Sequence, residues 1–123
     1  MISNLQQLRL LVVGPTGIHI VQRPLSWALE EGVQAQFVDY RNQYQRTLPA
    51  TCKFVHLWPP GTGRLAGWLK EHGSLAVPTW IGALHLRSVM ASFQPHVVHV
   101  HLLDFRTLCC VRAGSRPLIV SAW

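Results

Sequence analysis

Residues 9–39 read RLLVVGPTGIHIVQRPLSWALEEGVQAQFVD, and the change of hydrophobic period inside that stretch decides the fold. Arg9 to Val13 is a short aliphatic run of the kind that forms a buried strand. Gly14 to Gly17 interrupts it with two glycines, a helical stretch follows as far as Gly32, and Gln34 to Asp39 is a second apolar run. A strand, a turn, a helix and a second strand make a βαβ unit, whose crossover sets the two strands parallel. Pro24 is expected in the first turn of the helix ending at Gly32, where its missing N–H costs nothing, with a kink in a longer helix as the alternative.

Working outward, three more runs repeat the strand signature: Lys53 to Leu57 (KFVHL), Val97 to His101 (VVHVH) and Pro117 to Ser121 (PLIVS). Helical spacing fills the intervals. Thr62 is placed to cap a turn carrying Leu65, Trp68 and Leu69 before Gly73. Ile81, His85, Val89 and Phe93 recur every four residues before Pro95, and Asp104 is placed to cap a helix holding Leu108 and Val111 that stops at Gly114. The strands are apolar on both sides, as parallel strands covered on both faces must be. The expected fold class is α/β, a doubly wound parallel sheet of Rossmann-like type with strand order 3-2-1-4-5, forming one domain over residues 1–123. The longest irregular connection, Tyr40 to Cys52, is polar and carries Arg41 and Arg46.

Composition narrows the function. The 123 residues suffice for one core, and 49% apolar against 13% charged describes a folded domain rather than a disordered tail. Eleven Lys and Arg against five Asp and Glu give +6, which favours anionic partners: phosphorylated metabolites, nucleic acid or an anionic membrane surface. No apolar run reaches the roughly 18 residues of a spanning helix, and the opening MISNLQQLRL lacks the pattern of a cleaved signal. Cys52, Cys109 and Cys110 form an odd set without CxxC spacing, which points to a reducing compartment and away from a disulfide framework or a Cys-based zinc site, and the mid-helix Cys109 and Cys110 read as packing residues. The expected location is cytoplasmic, with peripheral attachment at the inner face of the membrane as a variant of it. Hydrolase and P-loop readings fall away, since GxSxG, GxxxxGK[ST] and HExxH are all missing; dispersed basic residues and the lack of an RNA- or DNA-binding signature argue against nucleic acid.

In an open parallel sheet the ligand crevice lies beyond the carboxyl ends of the strands, where strand order reverses. The residues after each strand therefore matter most: Gly14-Pro15-Thr16-Gly17-Ile18-His19, Trp58-Pro59-Pro60-Gly61-Thr62-Gly63, His101 to Asp104, and Ser121 to Trp123. Gly14 and Gly17 let backbone approach a ligand closely, and the helix after them would aim free amides at a diphosphate; a tight turn without a ligand is the alternative. With the first and fourth strands adjacent, His19 and His101 flank one crevice. Asp39 stands at the spacing of a ribose-binding acid, although a solvated or capping role is the simpler reading. His96, His99 and His101 resemble a metal cluster only superficially. His96 sits outside the strand and no fourth ligand is positioned, so no metal is expected. His99 reads as an interior histidine and His101, at the strand's end, as the functional one, while His56 and His85 read as structural.

The blocks RLLVVGPTGIHIVQRPLSWALEEGVQAQFVDY and PHVVHVHLLDFRTLCCVRAGSRPLIVSAW resemble the amino-terminal half of family-4 glycosyltransferases of the two-domain GT-B fold. Those proteins open with a strand, a Gly-containing loop, a His and a helix ending in Gly. Later they carry a DVVHxH strand, an acidic helix start and PLVVSxWGSD. The resemblance covers nearly the whole chain except the middle, Tyr40 to Gln94.

It implies that His101 faces the cleft near the transferred sugar as the catalytic residue, and that Gly14 and Gly17 lie beside the donor diphosphate and acceptor, followed by His19. Asp104 matches the helix start and Ser121 the stretch before the next loop. The opening Gly-Pro-Thr-Gly departs from the consecutive glycines of many members. The resemblance further implies a nucleoside-diphosphate sugar as donor substrate with no separate cofactor, retaining stereochemistry, and a carboxyl-terminal donor-binding domain. That domain is absent here, so the chain is expected to be an incomplete, truncated GT-B amino-terminal half, inactive alone. The acceptor is either a soluble metabolite or an anionic or membrane-associated one. Two other readings stay open: a nucleotide- or NAD(P)-binding domain without glycosyl transfer, and a structural remnant without function.

Overall fold

A computed structural model describes residues 8–14, 19–40, 52–101 and 104–121, with only the backbone of 19–24. The elements follow in the order β1 (Arg9–Val13), α1 (His19–Glu30), β2 (Gln34–Asp39), β3 (Lys53–His56), α2 (Gly63–Glu71), α3 (Ala76–Phe93), β4 (Val97–His101), α4 (Phe105–Arg112) and β5 (Leu118–Ser121). All five strands are parallel, in the order β3-β2-β1-β4-β5, so the sheet is the expected doubly wound one. Strand order reverses between β1 and β4, which puts the topological switch point beside His101.

Alternation along the strands builds two cores. Leu11, Val13, Val38, Val98 and Val100 face α2, α3 and α4, where they meet Leu57, Ala66, Ala83, Leu86 and Cys109. Val12, Ala35 and Phe37 face the other way, against Leu25 and Leu29 of α1. Side chains two apart on a strand share a face, so His99 and His101 lie on the α1 side while Val98 and Val100 fill the larger core.

Several local expectations are corrected. Helix α1 begins at His19, so Pro24 falls within the helix rather than in its first turn. Thr62 stands at the start of α2 without capping it, because its hydroxyl donates instead to the Pro59 carbonyl at 2.7 Å. Helix α3 starts earlier than the fourfold pattern suggested, and its buried stripe is Pro78, Thr79, Gly82, Ala83, Leu86 and Val89 rather than the one through Ile81 and His85. Leu65, Trp68, Leu108 and Val111 are exposed; α2 buries Ala66, and α4 turns Phe105, Cys109 and Cys110 inward. Asp104 does cap α4, accepting from the Arg106 amide at 2.9 Å. Among the described residues no helix is long and apolar enough to cross a membrane.

Candidate functional site

Parallel register fixes the centre of the site. Val13 lies opposite Val100, so Gly14, the next residue of one chain segment, lies beside His101 of the other. A Cβ added to Gly14 would stand 3.1 Å from the His101 Cβ and 3.4 Å from its carbonyl oxygen, and the Gly14 amide donates to the Val38 carbonyl at 3.2 Å. A side chain at this position would press on the Cβ and backbone of His101, so glycine suits the close approach of β1 and β4 at their carboxyl ends, where the Gly14 amide also ties β1 to β2. Gly17 lies outside the described residues, as does the side chain of His19; the backbone of His19 opens α1 at this rim.

His101 is 5% exposed. Its ring lies 4.1 Å from that of His99, tilted by 32°. Burial, and then the neighbouring His99, push its pKa down to about 4, and burial lowers His99 as well. The pair is therefore neutral near pH 7, and a neutral imidazole both donates and accepts a hydrogen bond. Ser121 lies opposite His101 in register, yet its hydroxyl meets Nε2 of His99 diagonally, at 2.7 Å. His99, read from the sequence as an interior residue, thus joins His101 to Ser121. His96 takes no part: its Nδ1 accepts from the Arg9 amide at 2.9 Å, at the amino end of the sheet. Among the described residues no three His, Cys, Asp or Glu side chains converge as a metal site.

The flank of the crevice is set by Asp104 and by a residue the sequence did not single out. Arg106 is buried, its Nε donates to Asp39 at 2.9 Å, and its Nη1 pairs with Asp104. Asp39 is 1% exposed and also accepts from the Tyr40 amide at 2.8 Å. The solvated role expected for Asp39 is thus corrected: its carboxylate is sealed beneath the rim and held by Arg106. Desolvation opposes the charge on Arg106, but hydrogen bonding and attraction to Asp39, with Asp104 behind them, keep its pKa raised. The guanidinium also lies 4.6 Å from the centre of the Tyr40 ring, which packs against Trp58 and Phe105. Only position could have found Arg106, as the second residue of a capped helix at the switch point.

Cys109 and Cys110 are packing residues; burial drives both thiols up to about 12, far from any thiolate chemistry near neutrality. No protein-family model matches the chain, and no curated protein matches its sequence.

Proposed function

We propose that this chain is the acceptor-side domain of a glycosyltransferase, which moves a sugar from a nucleoside-diphosphate donor to an acceptor hydroxyl. The observation that carries the reading is the placement of Gly14 beside His101 at the switch point, which brings the glycine loop and a neutral imidazole to the rim where such sheets bind ligands. The resemblance of the two sequence blocks to family-4 glycosyltransferases supports it. Transfer breaks the bond between the anomeric carbon and the diphosphate and forms one to the acceptor oxygen, so the site must orient the hydroxyl and stabilise the departing anion. His101, uncharged at neutral pH, holds a hydroxyl of sugar or acceptor. The Gly14 turn leads into the amino end of α1, whose amides favour the diphosphate. A second domain supplies the main grip on the nucleotide in this proposal, and retaining stereochemistry comes with the resemblance.

The alternative as an NAD(P)-binding domain needs a carboxylate at the end of β2 to take the ribose hydroxyls. Asp39, at that place, is already committed to Arg106 and the Tyr40 amide. In an enzyme joining this domain to a donor-binding one, His101→Ala is expected to lower kcat/KM by about 10²-fold or more with the circular dichroism spectrum preserved. Unchanged turnover overturns the role of His101, and tight NADH binding by the chain itself favours the alternative.

A further inference from the structure

A second concavity opens at the same carboxyl rim, at the edge strand β3. Its volume is 410 Å³, within the range of about 300 to 1,000 Å³ common for small-molecule sites. It is lined by His56 at the end of β3, by Trp58, Pro60 and Gly61 of the following loop, and by Gly63 and Arg64 of α2. Three strand spacings of about 4.8 Å separate β3 from β4, so this cavity lies roughly 14 Å from the His101 crevice.

The loop is preorganised. The Trp58 indole donates to the Pro78 carbonyl at 3.0 Å, the Leu57 amide to the Asp39 carbonyl at 2.9 Å, and both the amide and the hydroxyl of Thr62 to Pro59. Its backbone is open where a ligand would lie: a Cβ added at Gly61 or Gly63 would meet nothing within 4 Å. The lining carries a guanidinium and an imidazole but no carboxylate, and α2 has no acidic residue in its first turn. Arginine matches a phosphoryl group because its planar fork places two donors against two oxygens, and the Trp58 and proline surfaces suit the apolar face of a ring attached to it.

We infer that this cavity binds a phosphoryl group, free or as the ester of a sugar, with Arg64 as its charged anchor, assisted by His56 and the exposed backbone of Gly61 and Gly63. The inference stands apart from the assignment of sugar transfer to His101, since it is read by binding alone. The test is a ¹⁵N-resolved NMR titration of the 123-residue chain with inorganic phosphate, with glucose 6-phosphate and with uncharged glucose. Saturable shifts of the Gly61, Gly63 and Arg64 amides with either phosphate, and none with glucose, are expected. Tighter binding of the ester assigns the site to a phosphorylated sugar, and equal binding assigns it to the phosphate itself. Arg64→Ala should weaken binding about tenfold or more, Arg64→Lys less, and Arg87→Ala on the outer face of α3 should leave it unchanged. Shifts without saturation, shifts centred elsewhere, or equal losses in Arg64→Ala and Arg87→Ala would overturn the site.

Discussion

Two residues side by side on β1 and β4, Gly14 and His101, illustrate how much of this site rests on single positions. An unfolded histidine titrates near 6.5, whereas folded His101 titrates near 4 because burial and His99 disfavour its charge. Between those values the unfolded chain binds a proton that the folded chain refuses, so the neutral ring's contribution is complete above the unfolded pKa and is lost as the pH falls toward the folded one. Through this group the fold is expected to lose about 2 to 3 kcal/mol between pH 7 and pH 4, with His99 acting in the same direction. Urea unfolding at several pH values measures the loss, and His101→Gln should flatten the dependence; an identical slope in that variant would place the acid sensitivity elsewhere. Gly14→Ala tests the other partner. Its methyl would collide with a strand rather than with the tip of a flexible side chain, so β1 and β4 must part locally, at a cost of about 1 to 3 kcal/mol. The same melt, with the His101 ring resonances followed by NMR, should show both lower stability and a displaced imidazole.

Among the elements, the strands were legible and the helix faces were not. Strands β1, β2 and β4 lie where their short aliphatic runs, bounded by glycine, proline or polar residues, placed them. Helix α3 misled because it is apolar nearly all round, so period alone could not choose its inward side. What chose it was the crossing with α4: a Cβ on Gly82 would stand 2.8 Å from the Cys109 sulfur and 3.4 Å from Leu57. Gly82→Ala is therefore expected to destabilise by about 1 to 3 kcal/mol. Adding Cys109→Ala should recover part of that, giving a non-additive double-mutant cycle in chemical denaturation; strict additivity would mean that the helices do not meet there. The Asp39 pairing escaped the sequence for a different reason. Its partner lies 67 residues away on α4, and nothing local marks Arg106 as the one basic side chain that β2 would bury. Arg106→Met leaves a sealed carboxylate without its guanidinium, and about 3 to 5 kcal/mol of stability should go with it. Exchanging both partners for apolar residues should cost less than the single change.

Across the whole molecule, charge is sorted along the strand axis. Of the five acidic residues, Asp39 and Asp104 pair with Arg106, while Glu30, Glu31 and Glu71 lie in or just past the last turns of α1 and α2. Helix α1 returns from β1 to β2 and so ends at the amino edge of the sheet, which puts Glu30 and Glu31 far from the rim that carries His101 and Arg64. Helix α2 is followed by α3 rather than by a strand, and Lys70, beside Glu71, reaches the Tyr40 and Phe105 rings at that rim. Excess positive charge was plain in the composition, but its direction was not, because it depends on which end of each helix faces the crevice. At the carboxyl rim Arg106 compensates Asp39 and Asp104, and Arg64 and Lys70 add positive charge, a field that draws anions from a distance. Inorganic pyrophosphate at fixed concentration should accordingly raise Tm in 20 mM salt. Most of that gain should vanish in 0.5 M salt, where the Debye length falls to about 4 Å. Glu31→Gln should change the response little, since its carboxylate lies at the far end, whereas Asp104→Asn, removing a negative group from the rim itself, should enlarge it. A pyrophosphate response indifferent to salt, or one changed as much by Glu31→Gln as by Asp104→Asn, would show that the rim is not where the field is focused.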